Sequence, residues 1–373
     1  MPVETPIRQI RTSLRMASHE QLPPIFLTGV WRCGATLLYL LLNQHPDIAL
    51  FFESDLPVLW PMFRMPSGRK AWFDKWEYWN ASVSRHDLDP EQLALSGGSL
   101  AEAFEAAGRQ FAAQRRKTRW GCKSPTYFDR IDQLASTFPH AKFVVVWRDP
   151  EEICKSALEA ARSGNSSLWF TRPGTIHKLL MASEVLKKNV DEALRRGASV
   201  CQIHYRDLVS DPESVMMRVC EFLEVEFDPA VSVLKTADHS AVFKGVHHAL
   251  ARSTSIVSEE RDHSALPPKL AGKIASYRSY WRARYGDGWL PSQKCSDVDA
   301  LAPGSLARVC DRLRYAALRT VDVVPRIAFS ILPLSVWQKY RKFKYKDAMW
   351  VHRQITEKKT TLKMQDRSRG DVL

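Results

Sequence analysis

The chain has 373 residues, 45% of them hydrophobic and 25% charged, a balance that suits a folded domain and excludes a disordered or fibrous chain. Its formal net charge is +13, yet residues 301–373 hold 16 Lys or Arg against 6 Asp or Glu. The rest of the chain is therefore close to neutral, and its composition excludes a nucleic-acid-binding body.

Residues 1–22 read as a loosely held arm without an apolar run of signal-peptide type, and the seven scattered cysteines form no Cys-x-x-Cys pair. Both features point to a reducing, cytoplasmic setting. Ile25–Gly29 reads as a short apolar strand. A tight glycine-containing loop follows, then a helix over Ala35–Asn43 that stops near His45-Pro46. Phe51-Phe52-Glu53 places a carboxylate just after an apolar pair. Residues 56–80 are rich in aromatics but broken by Pro57, Pro61, Pro66 and Gly68, which predicts an irregular, packed excursion. Leu100–Lys117 reads as an amphipathic helix with Leu100, Phe104, Ala107 and Phe111 on one face.

Trp120–Lys123 reads as a short strand ending in a turn, and Asp129–Phe138 as a helix. Ala141–Trp147 predicts a central parallel strand, because Phe143–Trp147 is a continuous apolar run. Pro150 opens a helix over Glu151–Ala161. His177–Arg196 is a long helix closed by Gly197, Ser199–Tyr205 a strand, and Asp211-Pro212 the start of a helix to about Phe222. Residues 224–263 read as loop-rich, and Pro268–Tyr285 as a basic helix. Strands alternating with helices predict an α/β fold with a parallel sheet flanked by helices. We divide the chain into an arm (1–22), an α/β domain (23–292) and a basic C-terminal helical extension (293–373).

A strand feeding a glycine loop that opens a helix is a place to hold phosphate, because loop amides converge there and the helix N-terminus adds partial positive charge. The loop Gly29-Val30-Trp31-Arg32-Cys33-Gly34-Ala35-Thr36 lacks the Gly-Lys-Ser/Thr of an NTPase and carries an Arg instead. Arg32, Lys123, Arg148 and Tyr205 follow four of the strands, and in such sheets the ligand sits at the strands' carboxyl ends.

Three stretches resemble the sulfotransferases that use 3′-phosphoadenylyl sulfate (PAPS). The loop Gly29–Leu38 is similar to their 5′-phosphosulfate loop. Phe143–Ser156, with Arg148-Asp149-Pro150, is similar to their 3′-phosphate motif. His204–Glu213, running into Cys220-Glu221-Phe222-Leu223, is similar to their late strand-turn-helix. The resemblance spans about Pro24 to Tyr285 and is closest to the branch of bacterial and tyrosylprotein sulfotransferases.

The resemblance implies a P-loop-like three-layer fold, PAPS as co-substrate without a metal, and sulfuryl transfer to a hydroxyl. It places Arg32, Cys33, Gly34, Ala35 and Thr36 around the 5′ phosphosulfate. Arg148 and Ser156 fall at the 3′ phosphate, with Tyr205 and Arg252 also at the nucleotide. Glu53 stands at the catalytic base, and Lys123 where a lysine stabilises the transferring group alongside Arg32. The family has Thr where this chain has Ala35, and its late-loop serine falls near His248, where no serine stands. Tyrosylprotein sulfotransferases follow their base with arginines, whereas this chain has Asp55 and Leu59. The resemblance therefore implies a glycan, glycolipid or small-molecule acceptor. A base, fixed cations and loop amides are what in-line transfer of a charged group requires.

The strand-loop-helix alone also fits a kinase of a small hydroxyl compound, and the basic extension alone fits a non-catalytic scaffold. In that extension, the apolar stretch Val321–Trp337 precedes Lys339, Arg341, Lys342, Lys344 and Lys346 interleaved with aromatics. An anionic membrane surface suits this pattern, and so does a solvated appendage or the arm of a homodimer.

Overall fold

The sheet is built from short strands, four of them buried along their whole length. The computed structural model describes residues 22–53, 86–89, 93, 99–162, 174–240, 254–256, 266–286 and 301–331, with backbone only for 161, 162, 319 and 321–331. Five strands form one parallel sheet: β1 (Ile25–Thr28), β2 (Ile48–Phe52), β3 (Arg119–Lys123), β4 (Lys142–Trp147) and β5 (Ser199–His204), in the order β2-β3-β1-β4-β5. Every residue of β1 to β4 is buried, as strands covered on both faces must be.

Side-chain alternation splits each strand between two cores. Phe26, Ala49, Phe51, Trp120, Cys122, Phe143 and Val145 point to one face. There they meet α2 (Leu100–Gln114), α3 (Ile131–Thr137), α4 (Pro150–Arg162), α5 (Thr175–Arg195) and α8 (Pro268–Tyr285). Ile25, Leu27, Leu50, Phe52, Val144 and Val146 point to the other face and meet α1 (Ala35–Leu42) and α7 (Pro212–Leu223). Each large side chain so buried contributes roughly 1.5–3 kcal/mol. The result is the three-layer α/β sandwich that the strand-helix alternation predicts.

Local chemistry sets the element ends. Ser99 and Glu102 form a capping box at the start of α2. That helix stops at Gln114, short of Lys117, and Arg116 takes a positive φ of 55°. Asp211 accepts the Ser214 amide at the start of α7. The strand read over Ser199–Tyr205 ends at His204, and Tyr205 opens a short helix, α6 (Tyr205–Ser210). β2 is an element that the apolar pair Phe51-Phe52 only hinted at; it runs from Ile48 and pairs with β3 from Arg119 to Lys123.

The extension contributes α9 (Ser305–Ile331), and α9 is docked on the domain. The Asp311 carboxylate accepts from Lys273 Nζ at 2.5 Å and from the Tyr277 hydroxyl at 2.9 Å, both on α8. Arg312 donates to Glu184 of α5 and to the Tyr280 hydroxyl, each at 3.3 Å. No helix among the described residues is long and apolar enough to cross a membrane.

Candidate active site

The loop between β1 and α1 is shaped by two left-handed residues, Arg32 with φ 71° and Gly34 with φ 100°. The Cys33 amide donates to the Val30 carbonyl at 3.0 Å and closes the turn. A side chain at Gly34 would run into the Tyr205 ring, and one at Gly29 would come within 2.6 Å of the Val146 carbonyl oxygen. Gly34 is therefore required by conformation as well as by close packing, and Gly29 by close packing alone. α1 begins without a side-chain cap, so its N-terminal partial charge faces the loop.

On one side of the loop stand Glu53 and Lys123. Glu53 follows β2 and takes a φ of 50°, an uncommon conformation for a residue with a side chain. Its amide donates to the Lys123 carbonyl at 2.6 Å, extending the β2–β3 pairing by one residue. Lys123 Nζ donates to Glu53 Oε1 at 2.6 Å and to Thr36 Oγ1 at 3.1 Å, and lies 4.6 Å from the Phe52 ring centroid. The Lys123 side chain is 3% exposed and that of Glu53 21%. The lysine is thus fixed while the carboxylate stays reachable from outside.

On the other side stand Arg148, Ser156 and Tyr205. Arg148 follows β4; its Nε donates to Glu152 at 3.0 Å and its Nη1 to the Arg32 carbonyl at 3.0 Å. Its guanidinium carbon lies 4.2 Å from the Tyr205 ring centroid, a cation–π arrangement. Arg32 reaches across to Ser156 on α4, donating from Nε and Nη2 to its hydroxyl oxygen at 3.0 and 2.9 Å.

Beneath this side lies Asp149, 2% exposed. Its carboxylate accepts the Glu151 amide at 2.7 Å and pairs with Arg278 of α8. Burial pushes the Asp149 carboxyl above the usual range, against the pull of Arg278. Burial likewise pushes the Cys33 thiol up to about 11, although Lys123 and Arg148 oppose the shift. Cys33 is therefore a neutral thiol near pH 7 and no nucleophile; its place in the site is its amide and its packing.

The structure thus gathers Arg32, Cys33, Gly34, Ala35, Thr36, Glu53, Lys123, Arg148, Ser156 and Tyr205 around one loop. Arg252, His248, Asp55 and Leu59, with the aromatic excursion, lie outside the described residues. Sequence reasoning missed Glu152, Asp149 and Arg278. The first two carried a signal: Glu152 is four residues after Arg148 on a helix, and Asp149 precedes Pro150-Glu151, a helix-start pattern. Arg278 carried none, since its partner is distant in the chain. The loop thus carries Lys123 with the Glu53 carboxylate on one side and Arg148 on the other.

Residues 23–229 match the model of the sulfotransferase family. Protein-tyrosine sulfotransferase 1 of Danio rerio is 27% identical over 216 residues, which cover 57% of this chain and 56% of that protein. Omega-hydroxy-beta-dihydromenaquinone-9 sulfotransferase Stf3 of Mycobacterium tuberculosis (strain CDC 1551 / Oshkosh) is 23% identical over 286 residues, 64% of this chain and 72% of that protein. The chain spans 65% of protein-tyrosine sulfotransferase A of Caenorhabditis elegans, at 24% identity over 290 residues and 75% of this chain. Among solved structures, the sulfotransferase domain from the Synechococcus PCC 7002 olefin synthase superposes with a TM-score of 0.48 at 19% identity, over 70% of this chain and 97% of that one.

Proposed function

Because the chain belongs to the sulfotransferase family, we propose that it moves a sulfuryl group from 3′-phosphoadenylyl sulfate to a hydroxyl of a small molecule, glycan or glycolipid. The observation that carries this reading is the junction of Glu53, Lys123 and Thr36 at the edge of the glycine loop. A kinase loop of the Gly-Lys-Ser/Thr type keeps its lysine within the loop. Here the lysine comes from the neighbouring strand β3 and is bonded to a carboxylate.

The donor supplies the sulfuryl group. As the acceptor's oxygen–sulfur bond forms, the bond from sulfur to the phosphate bridge oxygen breaks; the hydroxyl proton goes to Glu53 and the electron pair to the leaving phosphate. Glu53 accepts a hydrogen bond from Lys123, which holds the carboxylate at the edge of the loop, where it is the group offered as base. Once Glu53 takes the proton, its hold on Lys123 weakens and the ammonium can turn to the charge building on the sulfuryl oxygens. Arg148 suits the doubly charged 3′ phosphate through its planar fork, and Arg32 with the Cys33–Thr36 amides suits the 5′ side. Asp55, where the tyrosylprotein branch has an arginine, would repel an acidic peptide, which supports the non-protein acceptor.

The test is thermal stabilisation by adenosine 3′,5′-bisphosphate against ATP, followed by transfer of label from PAPS to fractionated lipids, glycans and proteins. Stabilisation by the bisphosphate well above that by ATP, with label in a hydroxyl-bearing non-protein fraction, is the expected result. Equal stabilisation by both nucleotides, or by neither, overturns the donor assignment; label in protein tyrosine overturns the acceptor class.

A further inference from the structure

The face of α9 that points away from the domain is apolar and uncovered. Leu306 is 78% exposed, Val309 50% and Leu313 64%, and Leu301 just before the helix is 91% exposed. With the exposed Ala316, Ala317 and Thr320 they continue one stripe at spacings of three and four residues. The opposite face carries Asp311, bonded to Lys273 and Tyr277, and Leu318, which packs at Gly174. The helix is therefore fixed by one side and presents the other.

Its charges are arranged to match. By helical spacing the exposed Arg314 flanks the stripe on one side, while Arg312 on the other side is engaged by Glu184 and Tyr280 of the domain. From residue 305 to 320 the single acidic residue is Asp311, and it is turned inward onto α8. The stripe thus has Arg314 at its edge and lies within residues 301–373, which hold 16 Lys or Arg against 6 Asp or Glu.

We propose that α9 docks the protein on an anionic membrane surface, lying in the interface plane with Leu306, Val309 and Leu313 among the upper acyl chains. Lipid conforms to any apolar contour and needs no complementary surface on its partner. Pairing two copies through this stripe would set arginines against arginines. The few aliphatic side chains also fall short of the roughly 800 Å² per partner of a stable protein interface. Anionic headgroups satisfy the arginines while the hydrocarbon takes the leucines. The proposal does not depend on the sulfuryl-transfer reading.

The test is co-sedimentation of the full chain with vesicles of phosphatidylcholine alone and of phosphatidylcholine mixed with phosphatidylglycerol. The wild type should bind the mixed vesicles about tenfold or more above the neutral ones. The Leu306→Asp/Leu313→Asp variant should lose about tenfold in binding, and Arg314→Glu about threefold, with Tm and monomer mass unchanged. Absence of wild-type binding overturns the proposal. So does undiminished binding by the double variant, which would move the membrane contact to residues beyond 331, and so does a wild-type dimer that the double variant turns into monomers. If the double variant does not fold, Arg314→Glu decides, and unchanged binding then overturns the proposal.

Discussion

The Arg32 guanidinium holds the Ser156 hydroxyl with two hydrogen bonds, from Nε at 3.0 Å and Nη2 at 2.9 Å. The family resemblance sends these residues to opposite ends of the donor, yet here one side chain links them. Arg148 is similarly engaged, by Glu152 and by the Arg32 carbonyl. An incoming phosphate would share Arg148 with the Glu152 carboxylate. Glu152→Gln removes a competing negative charge and should tighten adenosine 3′,5′-bisphosphate binding by about two- to fivefold. Ser156→Ala should weaken it by about five- to tenfold, the worth of one hydrogen bond. Calorimetric titration reads both; weaker binding by Glu152→Gln would mean that Glu152 positions Arg148 instead of competing for it.

Glu53 and Lys123 act as a unit in the proposed transfer. Glu53→Gln keeps the shape and loses the base, so kcat should fall about 10²–10⁴-fold while bisphosphate binding changes little. Turnover within tenfold of wild type would remove Glu53 from the chemistry.

Gly34 has a φ of 100° and lies against the Tyr205 ring. Gly34→Ala combines left-handed strain with displacement of an aromatic ring and should cost about 2–4 kcal/mol. It should also weaken nucleotide binding, because Tyr205 carries Arg148 on its face. Chemical denaturation with and without bisphosphate separates the two effects. An unchanged midpoint would show that the loop adapts.

His177 of α5 lies under α9, with Asp311, Lys273 and Arg314 facing it, and its Nε2 is 3.2 Å from the Asp311 carbonyl. Burial holds its pKa below the ordinary value; Lys273 and Arg314 add to the depression while Asp311 opposes it. The sign follows from linkage. Above about pH 6.5 both folded and unfolded forms are neutral and the contribution is fully present. As pH falls below that value the unfolded chain takes up the proton first, and stability drops until the folded-state pKa is passed. His177→Gln should flatten the urea midpoint against pH in this window. A slope identical to wild type would place the titrating group elsewhere.

What the sequence disclosed depended on how local each signal was. β4 was legible because Phe143–Trp147 is a continuous apolar run, which a strand buried on both faces needs. β2 was harder: Ile48 to Phe52 is equally buried, but it is short and follows the end of α1 after only residues 43–47. Most of the candidate site residues sit at the end of a strand or in the loop, and Ser156 lies on α4, so position along the chain gives their position in the fold. The extension was opaque for the opposite reason. The groups that seat α9, namely Glu184, Lys273 and Tyr277, are distant in sequence and meet it only through side chains. Sequence reading looked for the apolar membrane-facing stretch in Val321–Trp337, while the exposed stripe begins earlier, at Leu306.

The strand order also bears on how the chain is made. β1 is made before the other described strands, but it pairs with β3 and β4 and not with β2, the next strand in sequence: Ile25 is matched to Gly121 and Lys142. At about 5–20 residues per second, β1 must therefore wait on the order of ten seconds before a partner strand exists. During that interval the chain displays Ile25–Thr28 and the apolar Ala35–Leu42 together, a segment on which nascent-chain chaperones have reason to act. The arrangement around the glycine loop cannot form until Lys123 and then Arg148 have been added.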